Sequence, residues 1–166
     1  GYYDETSEEG YIVAANSEKD DRGKSTYLAH TLLRSSLDKI PNQHIFLAMD
    51  VCFGGTFDPA LARTRSGELL LEEDADQKYL ASKLTKKTRK YLTSGSKSYV
   101  SDGIPGKHSP FAAKFIQALR EVGGGGGRLL TLMELNTYFL RLPTETRFGG
   151  FGTDDSNSDF IFVAKQ

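Results

Sequence analysis

Apolar residues recur along this chain in two rhythms. Leu28, Leu32, Leu33, Leu37 and Ile40 fall on one face at helical spacing, which predicts a helix from about Thr26 to Ile40. Ser25 or Thr26 caps it, and Pro41 blocks its continuation. Ser109 and Pro110 open a second helix with Phe111, Phe115, Ile116, Leu119 and Val122 as its buried stripe. The run Gly123 to Gly127 ends it in a flexible loop. Thr131 and Glu134 form a capping box that starts a last helix through about Leu140, with Leu132, Leu135 and Phe139 facing inward. The other rhythm is the short continuous apolar run. Tyr11 to Ala15, Ile45 to Met49, Tyr91 to Thr93 and Phe160 to Ala164 read as strands. Residues 2 to 10 are polar and read as a loop, and Asp58 to Gln77 shows no clear periodicity. A strand, a helix and a parallel strand follow the βαβ grammar of an α/β fold.

The run Ile45 to Met49 ends in Asp50, Cys52, Gly54 and Gly55. Open α/β sheets gather their chemistry at the carboxyl ends of strands. Cys52 is the only cysteine, so it forms no internal disulfide and serves packing or reactivity. The glycines permit a tight turn and close approach of a substrate. A phosphatase-type loop needs an arginine where this chain has Asp58. A redox C-x-x-C lacks its second cysteine, and one Cys with three scattered His does not make a zinc site. A nucleophilic cysteine and a structural one both remain.

Size and charge narrow the field. A chain of 166 residues, 38% hydrophobic and 26% charged, is one ordinary globular domain. Its formal net charge of −1 gives no basic field for nucleic acid. No apolar run approaches the ~18 residues of a membrane span, and no basic start followed by an apolar core marks a secretory leader. A single cysteine fits a reducing compartment, so a cytoplasmic location is expected.

The remaining features are weak signals. His30 reads as a surface or boundary residue of its helix, and His108 as a structural residue before a cap. His44 stands at the entry of the Cys52 strand; eight extended residues span more than about 20 Å, so it is no base for Cys52. The segment Lys78 to Lys90 reads as a solvated basic face or a self-processing site rather than a nucleic-acid patch. The glycine run lacks the GK[ST] of a phosphate loop. The acidic run Glu72 to Asp76 and the turn Asp154 to Asp159 both fail the calcium-loop pattern.

DVCFGG after an apolar strand resembles the nucleophile segment of the caspase-like cysteine peptidases. The likeness is to the bacterial members and to metacaspases and paracaspases, which carry Asp two residues before the Cys where animal caspases carry Gln. YLTSGSKSYVSDG, Tyr91 to Gly103, resembles the next core strand and its substrate-binding edge. HSPFAAKFIQAL resembles the helix after it, and RFGGFG with SDFIFV resembles the closing segment. GYYDETSEEGYIV resembles the stretch after the family's catalytic His-Gly, with Gly1 as that glycine. The resemblance implies a three-layer α/β/α sandwich with a mostly parallel central sheet. Residues 1–166 would be the C-terminal portion of one such domain, incomplete at the N-terminus.

It further implies a cysteine endopeptidase with Cys52 as nucleophile and a His just upstream of Gly1 as base. A companion segment or chain would carry that His. The oxyanion donors would be the N–H groups of Cys52 and Gly1. Strand alternation puts Asp50 on the face of Cys52, where its carboxylate pairs with Arg or Lys before the cut. A structural carboxylate bonding loop N–H groups is the alternative reading of Asp50. Ser101 and Asp102 would line the substrate edge, against which a peptide adds as a strand. The segment after the nucleophile would be the connector where zymogen processing occurs. No cofactor is expected, calcium dependence having no supporting motif. The partners expected are a peptide or protein substrate, and neither nucleic acid nor membrane. The alternative function is a catalytically inactive interaction or sensor module of the same fold.

Overall fold

A computed structural model describes residues 1–57, 73–95, 103–104, 106–124 and 129–164. Residues 58–72 of the expected processing connector, Ser101 and Asp102 lie outside them. The described chain is mixed α/β. It opens with a small antiparallel sheet of β1 (Tyr2–Asp4), β2 (Glu9–Ile12) and β3 (Leu28–Ala29). Residues 2 to 4, expected as loop, are therefore a strand, paired Tyr2 to Tyr11 and Tyr3 to Gly10. Alternate apolar side chains were too few for a period-2 signal in so short a strand.

Helix α1 (His30–Asp38) is shorter than its periodicity predicts. Its N-cap is Ala29, with no side-chain capping bond. Ser25 and Thr26, expected to cap it, instead donate to Asp21. Glu9 of β2 takes up the first turn, accepting from the Thr31 amide and hydroxyl.

The second sheet has the order β4 (His44–Met49), β5 (Thr88–Thr93), β7 (Arg147–Gly150). β4 and β5 are parallel, Leu47 opposite Tyr91; β5 and β7 are antiparallel, Tyr91 opposite Gly149. This is the single parallel pair among the described strands, so "mostly parallel" is corrected for what is described. A third, two-stranded sheet pairs β6 (Leu129–Leu130) with β8 (Phe162–Val163).

Alternation along β4 and β5 divides the core. Met49 and Tyr91 join Phe57 and Phe151 in one cluster, which meets Leu33 and Leu37 of α1. Leu92 goes to the other, with α3 (Pro110–Gly124) and α4 (Leu132–Thr137) supplying Phe111, Ala118, Leu132 and Leu135. Phe46 stacks on Phe115 there, with ring centroids 6.2 Å apart. The sheet thus has helices packed on both faces.

Both late helix starts form as the sequence reads. The Ser109 hydroxyl accepts from the Ala112 amide at 2.9 Å. Thr131 and Glu134 complete their reciprocal box, though α4 ends at Thr137 rather than Leu140. Helix α2 (Glu73–Leu84) claims the end of the stretch that shows no periodicity.

The basic segment is not one solvated face. Arg89 lies in β5 and is fully buried, as is Thr88. Its guanidinium donates to the carbonyls of Gln43, Thr88 and Ile40, and its Nε lies 3.5 Å from Asp38. Lys90 pairs with Asp154 at 2.7 Å. The acidic turn after β7 serves the start of β5. Asp154 accepts from the Arg89 amide and the Ser158 hydroxyl, and Asp155 from the Lys87 amide. Its carboxylates are thus spent on main-chain and side-chain donors.

Candidate nucleophile site at the end of β4

Strand β4 ends at Met49, so Asp50 and Cys52 stand beyond it in a turn. The alternation that was expected to align them does not operate here. The turn is instead tied to its neighbours one bond at a time. The Ser94 amide donates to the Met49 carbonyl, the Ser94 hydroxyl to that of Val51, and the Gly54 amide closes back on Val51 at 3.3 Å. A 3-10 turn, Gly54–Phe57, comes next.

Asp50 is exposed and accepts a hydrogen bond from the Ser109 hydroxyl. That hydroxyl oxygen also caps α3, so the carboxylate sits one side chain from a helix N-terminus. Both the specificity reading and the structural reading of Asp50 are compatible with this bond. It joins the end of β4 to α3, a link that sequence spacing gives no hint of.

Cys52 is half-buried. The residue after it, Phe53, has φ +62°, in the left-handed region that non-glycine residues seldom adopt. Such a residue stores about 1 kcal/mol or more of strain. The glycines were expected to take the tight turn, yet neither Gly54 nor Gly55 has a positive φ. Gly54 serves close approach instead: a β-carbon there would stand 2.9 Å from Cβ of Thr93 in β5.

Gly1 packs directly on the main chain of Cys52. A β-carbon at Gly1 would overlap the Cys52 carbonyl oxygen. The first residue of the chain and the cysteine loop, 51 positions apart, thus meet at the carboxyl end of β4. The ring of Tyr3 stacks on Phe53 with centroids 6.1 Å apart, which fixes the same strand to the same loop.

Of the histidines, His44 begins β4 as expected and faces the Leu84 carbonyl at 3.3 Å. His108 is exposed. His30 departs from expectation. It is fully buried, not a surface or boundary residue. Its Nδ1 lies 2.9 Å from the Thr56 hydroxyl, and its Nε2 has no hydrogen-bond partner among the described residues. Burial lowers its pKa below the ordinary value of 6.5, and the Glu9 carboxylate opposes the shift. Helical periodicity could not find this burial, because it comes from Gly10 and Thr56, distant in sequence. The signal available was Gly10 itself: a β-carbon there would overlap both the Thr56 hydroxyl and the His30 ring.

Among the described residues no group of three His, Cys, Asp or Glu side chains is placed to hold a metal ion, and no helix is long and apolar enough to cross a membrane. Comparison with protein-family models, with curated proteins and with solved structures finds no match to this chain.

Proposed function

We propose that this chain is the C-terminal portion of a caspase-like cysteine endopeptidase that cleaves after Arg or Lys, built as a three-layer α/β/α sandwich. The observation that carries the reading is the contact of Gly1 with Cys52. A residue preceding Gly1 emerges beside the cysteine loop, where the resemblance expects the catalytic His. Asp50 stands two residues before Cys52, tied to the start of α3. The parallel pair β4–β5, the antiparallel β7 and helices on both sheet faces are consistent with the expected architecture.

In this reading His takes the proton from the Cys52 thiol, and the thiolate attacks the scissile carbonyl. The N–H groups of Cys52 and Gly1 receive the developing oxyanion. The amine leaves with the proton from the imidazolium, and water then releases the acyl group from sulfur. A companion strand carrying the His would pair with β4, which stands at one edge of its sheet among the described strands. Main-chain hydrogen bonds along that edge would hold it.

The test uses the protein together with whatever residues precede Gly1. Fluorogenic peptides ending in Arg, Lys or Asp are compared, with Cys52→Ala as the inactive control. Cleavage of the Arg and Lys peptides, lost in Cys52→Ala, is the expected result. Equal turnover of Arg and Asp peptides sinks the specificity, and cleavage that survives Cys52→Ala sinks the mechanism.

A further inference from the structure

Two side chains and one main-chain carbonyl meet at the cysteine loop. His30 opens α1, Thr56 lies in the 3-10 turn, and Phe53 carries the left-handed backbone directly after Cys52. The Thr56 hydroxyl donates to the Phe53 carbonyl at 2.8 Å, beside the Thr56 amide, which bonds the same oxygen at 3.2 Å. A threonine hydroxyl has one proton. With that proton given to Phe53, its oxygen accepts from His30, and Nδ1 must be the protonated ring nitrogen. Nε2 is then a bare lone pair facing no donor among the described residues. The opposite tautomer would leave a buried N–H without an acceptor, the rarer and costlier outcome. The first argument puts a proton on Nδ1 and the second keeps one off Nε2, and together they select the neutral ring.

We infer that His30 is a positioning residue for Cys52: as a neutral imidazole protonated on Nδ1, it orients the Thr56 hydroxyl, which holds the Phe53 turn and with it the Cys52 loop. A buried histidine with an idle nitrogen is a poor way to fill a core, since an apolar ring would lose nothing there. Its value lies in the one directed bond it makes. Gly10 supports this, because any side chain in its place would push His30 and Thr56 apart. The strained φ of Phe53 needs such fixing, as a left-handed non-glycine residue persists only when its surroundings over-determine it. The catalytic consequence rests on the peptidase reading; the effect on the cysteine itself does not.

Two measurements decide it on the full protein. In the wild type, ¹⁵N NMR of the imidazole at pH 7 should show Nδ1 protonated and Nε2 bare. A cationic ring or the opposite tautomer overturns the inference without any variant. Alkylation of native Cys52 by iodoacetamide is then timed in Thr56→Val, Thr56→Ser, His30→Leu and His30→Asn. Thr56→Val and His30→Leu should each change the rate by about fivefold or more, and the double variant no more than either, because the two act as one unit. Thr56→Ser keeps the hydroxyl and His30→Asn keeps a donor near Nδ1, so both should stay within about twofold of wild type. An unchanged rate in folded Thr56→Val overturns the proposal. With a turning-over peptidase, kcat falls about tenfold in Thr56→Val while KM holds. Failure of the peptidase reading shows differently: no turnover by wild type, with the alkylation differences intact.

Discussion

Ser109 and Asp50, 59 residues apart, share a hydrogen bond that fastens the end of β4 to the start of α3. The same serine oxygen caps the helix by accepting from Ala112. The bond gives Asp50 a fixed direction, and an exposed carboxylate held in one direction is suited to recognising a cation. Asp50→Asn keeps an acceptor for Ser109 and removes the charge. Under the proposed function it lowers kcat/KM for Arg peptides roughly 10–100-fold, the worth of a hydrogen bond to a charged group, with little change in melting temperature. Ser109→Ala removes the cap as well and costs about 1 kcal/mol of stability. Peptide kinetics and thermal melts on both variants separate the two roles.

The legible parts of the chain are those where local chemistry decides. The caps at Ser109 and Thr131 lie within four residues of the amides they serve, so composition and spacing announce them. The run Ile45 to Met49 is a strand because continuous apolar residues leave few alternatives, though only Met49 is fully buried and Ala48 is exposed. The illegible parts depend on distant partners. Arg89 reads as one more charge in a basic stretch until Ile40, Gln43 and Asp38 surround it. Asp50 and Cys52 look like alternating strand residues, but the strand stops at Met49 because Ser94 and Gly54 bind the turn beyond it. For the site, sequence supplies Cys52 and its neighbour Gly1; it does not supply His30, Thr56 or the strain at Phe53.

Arg89 is the buried charge on which the middle sheet depends. Its fork donates to three carbonyls at the entrance of β4 and β5, beside Asp38. Replacing it with Leu leaves the Ile40 carbonyl without its donor, while Asp38 keeps its bonds from the Thr153 amide and hydroxyl, and costs about 2 kcal/mol. Arg89→Lys recovers less than half of that, because one compact ammonium cannot stand in for the two separate nitrogens with which the guanidinium fork reaches Ile40 on one side and Gln43 and Thr88 on the other. Urea unfolding at pH 7 should rank the three proteins in the order Arg, Lys, Leu. A Leu variant as stable as wild type contradicts this account.

Gly10 lies in β2 with its α-carbon pressed against α1 and the 3-10 turn. A methyl group there collides with Thr56 and His30 at once. Gly10→Ala should cost about 2 kcal/mol, at the middle of the range for overpacking, against the small gain expected for alanine in an open strand. The double variant Gly10→Ala with Thr56→Ala, which vacates the hydroxyl and methyl, should recover part of the loss. Denaturant midpoints with unchanged slopes are the readout.

His30 also sets a slope of stability against pH. Burial lowers its folded pKa beneath 6.5, the value of the unfolded chain, and Glu9 only partly offsets this. Below pH 6.5 the unfolded state therefore binds more protons at this site than the folded state does. Stability is complete above about pH 6.5 and declines as pH falls from there toward the lowered folded value. Asp159 contributes the opposite sign at lower pH. Its burial raises the carboxyl above 3.8, so the folded state takes up the extra proton there and gains stability as the solution approaches that value. His30→Asn, which cannot titrate, should flatten the profile just below pH 6.5 and leave the Asp159 region as it was. A wild-type profile that is already flat from pH 7 to 5.5, measured by urea midpoints in one buffer series, would remove the case for a buried neutral imidazole.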